Sequence, residues 1–317
     1  MSRSLIKFAV YLSLIALLAA CSPPAESTAE LRLVATNSII ADVVSQVAGD
    51  LSDVRVLVAS GTDPHAYEPS PQDIAAVADA DVVFSNGLGL EGYLDGLIAN
   101  AGGAGNLVDL SEGVDTIAAE AGDDHAEQSD HEEEADQEGG GQDPHVWTNP
   151  LNVIVWVEHI ASTLAEIDPE NSDTYQSNAQ AYQAELEALD AWATEQIAQI
   201  PTERRLLVTD HEVFSYFADR YGFEVVGAVI PGASTLSESS AAQIAELHKL
   251  IEEHEVSAIF VSFTINEAVA ERIAEDSNAQ LVPLYSESLG EAGGPADSYI
   301  GMFRYNVAAI VDALAVE

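Results

Sequence analysis

The chain has 317 residues, 47% of them apolar, and carries 54 acidic against 10 basic side chains for a formal net charge of -44 at neutral pH. Such a charge repels nucleic acid and anionic membrane surfaces and draws cations, an attraction that salt screens. The length suffices for two lobes of ordinary domain size, and the single cysteine excludes an internal disulfide. The acidity also fits a surface adapted to salt or built for solubility, so charge alone fixes no function.

In chain order, Arg3 and Lys7 make a basic start, residues 8–18 are almost wholly apolar, and Leu18-Ala19-Ala20-Cys21 ends the run at small residues. This is the layout of a secretory signal, and the apolar run is too short to span a bilayer as a stable helix. The four residues ending at Cys21 resemble a bacterial lipobox. Residues 1–21 are therefore read as a signal peptide with lipobox, Cys21 as the lipidated residue, and residues 22–30, rich in Pro, Ser and Ala, as a tether. Acyl chains on Cys21 would hold the protein to the membrane from outside the cytoplasm, with no other membrane contact.

Beyond the tether, short apolar runs alternate with helical patterns, the mark of parallel sheets flanked by helices. Strands are expected at residues 31–35, 54–58 and 81–85, and again at 205–209, 224–229, 258–261 and 280–284. Thr36-Asn37-Ser38 supplies capping residues for a helix after the first strand. Ser70-Pro71-Gln72-Asp73 is a helix start with Ser at the cap, Pro in the first turn and an acid three residues on. Two segments break the rhythm. Residues 120–142 are acidic, contain Gly139-Gly140-Gly141 and lack aromatic or basic residues, so they read as a solvated insertion. Residues 172–200 form one long helical pattern, with Tyr175, Ala179, Tyr182, Leu186, Leu189, Ala193, Ile197 and Ile200 recurring every three or four positions. At about 1.5 Å per residue such a helix runs roughly 40 Å, a domain's width. The expected fold is α/β, with two βα lobes of parallel sheet joined by one long rigid helix. The N-terminal lobe is placed at 31–165, the linking helix at 166–202 and the C-terminal lobe at 203–317.

Three of the eight histidines occupy comparable places. His65 follows the strand ending at Val58, within Asp63-Pro64-His65. His145 lies in Asp143-Pro144-His145, just before a helix that Asn149 would cap. His211 directly follows the strand at 205–209. Open α/β sheets bind ligands beyond the carboxyl ends of their strands. Proline fixes its own backbone and restricts the residue before it, so each Asp-Pro-His launches its histidine from a stiff loop, as a metal site requires. His159, His248 and His254 fall on helical patterns and read as surface residues.

The sequence resembles the zinc- and manganese-binding proteins of bacterial ABC importers, the adhesin-type metal-binding lipoproteins, over essentially the whole chain after the signal. The resemblance rests on His65-Ala66-Tyr67-Glu68-Pro69, on Asp143-Pro144-His145-Val146-Trp147, and on His211 with Phe214, Tyr216 and Phe217 behind it. It also rests on Leu284-Tyr285-Ser286-Glu287-Ser288-Leu289, followed by residues 299–306. It implies four ligands in the cleft between the lobes. His65 and His145 match the two of the N-terminal lobe. His211 matches the third, a histidine in zinc-type members and a glutamate in many manganese-type ones. Glu287 matches the fourth, where many relatives have aspartate. It further implies delivery of the ion to a permease and ATPase, with the binding protein acting as a monomer.

Three neutral imidazoles and one carboxylate suit zinc, whereas an oxygen-rich set favours manganese. Zinc is the expected cargo, manganese the alternative, and affinity is expected to fall below about pH 6 as ordinary imidazoles protonate. His125 and His131 make the acidic segment a possible weak metal loop, though two histidines are few for that role. A secreted zinc hydrolase is the rival of another class. The chain lacks an HExxH motif, and Glu212 is only the neighbour of His211, so a binder and not an enzyme is expected.

Overall fold

The computed structural model describes residues 30–103, 106–119, 141–265 and 268–315. In the N-terminal lobe four parallel strands, β1 (Leu33–Asn37), β2 (Val54–Val58), β3 (Val82–Ser85) and β4 (Leu107–Asp109), form a sheet in the order β2-β1-β3-β4. The two central strands, β1 and β3, are buried along their whole length, which explains their unbroken apolar runs. β1 and β3 begin later than the pattern suggests because Arg32 and Asp81 pair with each other just ahead of them. The Asp81 carboxylate accepts from the Arg32 backbone N–H at 2.9 Å and from its guanidinium at 2.9 Å. β4 has three residues and lies at the sheet edge with Leu107 exposed, too short for a periodic signal.

Helices α1 (Ser38–Ala48), α2 (Pro71–Asp79) and α3 (Leu94–Ala101) connect these strands. Asn37 caps α1 by accepting from Ile40 N–H at 2.9 Å, and Ser70 with Asp73 closes a capping box on α2. Helix α4 (Pro150–Ile167) starts at Pro150 under the Asn149 cap, whose side chain accepts from Leu151 N–H at 3.0 Å. Helix α5 (Ser172–Ile197) is 26 residues long and buries the stripe from Tyr175 to Ile197, with Ile200 buried in the turn beyond it.

The C-terminal lobe repeats the plan. Strands β5 (Leu206–Thr209), β6 (Glu224–Ala228), β7 (Ala258–Ser262) and β8 (Gln280–Leu284) are parallel in the order β6-β5-β7-β8. Helices α6 (Ser215–Tyr221), α7 (Ala241–Glu253) and α8 (Ala268–Ser277) connect them, and α9 (Tyr299–Leu314) returns to pack on α5, which also touches α1 and α4.

Alternation along the strands divides the apolar residues between three cores. In β1, Leu33 and Ala35 face one core and Val34 another; in β7, Ala258 and Phe260 face the same first core while Ile259 and Val261 turn away. That first core is continuous through both lobes. It joins Ile39 of α1, Trp156 of α4 and Leu186 of α5 to Phe217 of α6 and Phe303 of α9. The outer face of each sheet has a smaller core of its own. Both sheets therefore rest on a shared helical layer, and their carboxyl ends meet across a cleft.

Candidate metal centre

Each of the four predicted residues leaves the fold from a strand end or a pinned loop. His65 sits in the segment after β2, where Asp63 Oδ1 accepts from the His65 backbone N–H at 2.8 Å. Farther along, Tyr67 donates its hydroxyl to Asp73 of the α2 capping box at 2.8 Å, which ties the segment to the helix that follows. His145 precedes the short 3-10 turn Val146–Thr148. Its loop is held by Asn86, whose side-chain amide donates to Pro144 C=O at 2.9 Å. Asn86 and Gly87 are in turn fixed by the buried Glu91, which accepts from both backbone N–H groups. Gly87 has φ of 85°, and a Cβ there would lie 2.1 Å from Asp109 Oδ1, so this turn needs glycine. His211 follows β5 and Glu287 follows β8.

These elements bring His65, His145, His211 and Glu287 together, with one ligating atom from each within 4.8 Å of the others. His65 Nε2 is 3.2 Å from His145 Nε2, and Glu287 Oε1 is 3.0 Å from His211 Nε2 and 3.5 Å from His145 Nε2. Glu287 Oε2 lies 3.7 Å from His65 Nε2, is buried, and has no hydrogen-bond partner. Ligands about 2.0–2.1 Å from a tetrahedral zinc stand roughly 3.3 Å apart, so the spacing fits a shared ion. A buried carboxylate oxygen without a donor is a costly arrangement that a central cation relieves.

The rings are aimed by aspartates. His145 Nδ1 is 2.7 Å from Asp143 Oδ1, and His211 Nδ1 is 2.9 Å from Asp210 Oδ1. A carboxylate at Nδ1 makes that nitrogen the donor and turns the Nε2 lone pair to the centre. Asp210 is itself held, its Oδ2 accepting from Ser262 N–H at 2.5 Å. Burial would lower the His211 pKa, but Asp210 and Glu287 on either side outweigh it and raise it to about 10. Burial would raise Glu287, and the histidines around it outweigh that, bringing it to about 2. At His65 burial dominates and, with the neighbouring histidines, overcomes the opposing pull of Glu287 to leave the ring at about 4. The centre thus combines an ionised carboxylate with one imidazole that holds its proton tightly and one that scarcely takes one.

Residues 33–313 match the family described as ZnuA, zinc-uptake complex component A, periplasmic. The chain belongs to this family. It is 34% identical to the manganese-binding lipoprotein MntA of Halalkalibacterium halodurans, over 97% of this chain and 98% of that one. It is 36% identical to the iron ABC transporter substrate-binding lipoprotein MtsA of Streptococcus pyogenes serotype M1, over 94% of each. Among solved structures it is similar to the periplasmic zinc-binding protein TroA of Treponema pallidum, with a TM-score of 0.77 and 31% identity over 90% of this chain and 99% of that one. Membership in a family of extracytoplasmic proteins, with lipoproteins as full-length relatives, makes this chain extracytoplasmic and lipid-anchored. Among the described residues no helix is long and apolar enough to cross a membrane.

The other predicted positions stand apart from the centre. Cys21, His125 and His131 lie outside the described residues. Ala118 and Gln142 form an antiparallel bridge immediately before Asp143. His159 is half-buried on α4, His248 lies 3.7 Å from Glu252 on α7, and His254 is exposed at the end of that helix. Glu212 turns away from the centre, its carboxylate accepting from Gly232 N–H at 3.1 Å.

Sequence reasoning passed over Asp210, although an aspartate precedes all three histidines within two residues and the repetition was a usable signal. It also gave no role to the hydroxyls and indole that stitch the lobes behind the site. Tyr216 donates to Asp143 C=O at 2.7 Å, Trp147 Nε1 to Ser286 C=O at 2.8 Å, and Tyr299 to Trp147 C=O at 2.7 Å.

Proposed function

We propose that this chain is the substrate-binding component of an ABC importer for a divalent transition metal, that His65, His145, His211 and Glu287 are its ligands, and that its cargo is zinc. The observation that carries this reading is the convergence of three ring nitrogens and one ionised carboxylate at the junction of two lobes. Three imidazoles with one carboxylate suit zinc, and the aspartates behind His145 and His211 orient them for tetrahedral coordination. The ion is bound and handed on unchanged, so the site needs ligands and a route out rather than a catalytic group. On delivery, the permease and ATPase partners take the ion by parting the two ligand pairs.

Manganese is the second reading. It is favoured by the names of relatives that bind manganese or iron and by Glu287, which turns both oxygens toward the histidines and can add a fifth donor. Metal analysis of the purified protein followed by direct competition separates the two. Zinc should displace bound manganese stoichiometrically. Preference for manganese at equal free concentration would overturn the zinc assignment, and uptake of neither metal would overturn the ligand set.

A further inference from the structure

His65 differs from the other two histidines. Its Asp63 carboxylate holds the backbone N–H and leaves the ring alone, whereas Asp143 and Asp210 each hold both the backbone N–H and the ring Nδ1 of their histidine. The second oxygen of Asp63 reaches the other lobe instead. Its Oδ2 accepts from the Thr235 hydroxyl at 2.7 Å, a contact between residues 172 positions apart.

Thr235 lies on the segment that follows β6. The base of that segment is pinned beside His211, where Glu212 N–H donates to Gly232 C=O at 3.1 Å and its carboxylate accepts from Gly232 N–H. Beneath its far end is a cavity of about 320 Å³, walled by Ser237, Glu238 and Ser239, with Asp210 and Ile230 below. Packing therefore restrains this segment weakly, and Leu236 at its tip is 68% exposed. At its far end the Ser239 hydroxyl donates back to Val229 C=O within the same lobe, and the Thr235–Asp63 bond is what ties the segment across the cleft. The segment spans from a neighbour of His211 to the aspartate that sets His65.

We propose that Thr235 is a positioning residue for His65 and that the Thr235–Asp63 bond sets how fast the metal leaves. The inference rests on the ligand set proposed above. With the bond made, Asp63 is fixed between the two lobes and holds the His65 backbone where Nε2 faces the centre. With it broken, the hydrogen bond that ties the segment carrying His65 to the C-terminal lobe, among the described residues, is the one from Gly61 N–H to Ser288 Oγ at 2.7 Å. His65 then becomes the first ligand to detach. The other three ligands stay put, since none of their supports passes through Thr235.

The test is zinc release from the full, zinc-loaded chain into excess chromophoric chelator, followed by stopped flow. Thr235→Val keeps the shape and removes the hydroxyl; it should speed release about tenfold, the scale of losing one hydrogen bond to a carboxylate, while association changes by less than about twofold. Thr235→Ala should reproduce that result whatever the fit of the valine methyl, and Thr235→Ser should restore the parent rate. In a His65→Ala background, Thr235→Val should add nothing, because its effect passes through the missing ring. Release at the parent rate in both Thr235→Val and Thr235→Ala, with the parent chain binding zinc normally, overturns the inference alone. The same acceleration with and without His65 also overturns it. A parent chain that takes up no zinc overturns the ligand set and this inference with it.

Discussion

The two lobes share a sheet order and use it differently. In the N-terminal lobe the first strand, β1, runs straight into helix α1 through the Asn37 cap, and its end makes contacts rather than ligands. Thr36 donates to Glu91 at 2.6 Å, and Ser38 Oγ accepts across the cleft from Leu289 N–H at 3.0 Å. In the C-terminal lobe the matching strand, β5, is followed by Asp210-His211, and its helix waits until Ser215. The proposed N-terminal ligands come from beyond an edge strand and from a loop after the sheet, the proposed C-terminal ones from within three residues of the ends of β5 and β8. Topology thus supplies a rim of strand ends, and local sequence decides which ends carry chemistry. The support differs as well. His211 and Glu287 are fully buried and contact each other at 3.0 Å, while His65 has no aspartate at its Nδ1 and meets Glu287 only at 3.7 Å.

Ligand truncation should break this comparison most strongly if it is wrong. Removing one partner of a buried charged pair costs about 3–5 kcal/mol, so His211→Ala should weaken zinc binding by roughly a thousandfold, measured by chelator competition. His65→Ala strands no buried aspartate and should lose clearly less, about tenfold to a hundredfold. Equal losses would mean that the two lobes grip the ion alike despite their different supports.

Stability probes the other face of the comparison, because the lobes also share a core. Leu186 on α5 is fully buried in the cluster that reaches both sheets, whereas Val77 belongs to the outer core of the N-terminal lobe. Leu186→Ala should cost about 2–5 kcal/mol and leave a single thermal transition, since neither lobe can lose that layer alone. Two separated transitions in calorimetry would show that the lobes are energetically independent.

Much of this was legible beforehand, for identifiable reasons. The α5 stripe repeats over seven turns, and the central strands are apolar throughout because both faces are covered. The histidines announced themselves through Asp-Pro-His and a strand end. Glu287 did not: nothing in its local spacing separates it from any acid after a strand, and only the family resemblance singled it out. Asp210 was hidden for a geometric reason. Neighbouring side chains in an extended chain point apart, and only the bend after β5 folds this carboxylate back onto the ring beside it. Thr235 is 172 positions from the residue it holds, beyond any local pattern.

Protons sharpen the comparison further. Ordinary imidazoles would make affinity level off above about pH 6.5. His211, flanked by Asp210 and Glu287, keeps its proton up to about 10, and the metal must displace it. A raised pKa favours the protonated form, so affinity should still climb about tenfold per pH unit between 7 and 9, roughly a hundredfold in all, in chelator-buffered zinc titrations. His65, lowered to about 4, adds nothing in that window. A flat profile from pH 7 to 9 would show that the two acids do not hold the His211 proton, and the same profile after His211→Ala would assign the slope to another group.

A last prediction tests the aspartates themselves. Asp143→Asn and Asp210→Asn keep size and one acceptor oxygen while removing the charge that makes each Nδ1 a donor. Loss of such a support typically weakens metal affinity about tenfold to a hundredfold. Asp210 should lie at the upper end near pH 9, because its second oxygen also holds Ser262 N–H. Removing that charge has two opposed consequences: the ring becomes a poorer donor to zinc, but it also gives up its proton more readily. The first acts at every pH and the second only where His211 is protonated. Asp210→Asn should therefore lose most affinity near pH 9 and least near pH 7, with a shallower slope than the parent. Asp143→Asn should run nearly parallel to the parent, and parallel profiles for both variants would mean that Asp210 only aims its ring.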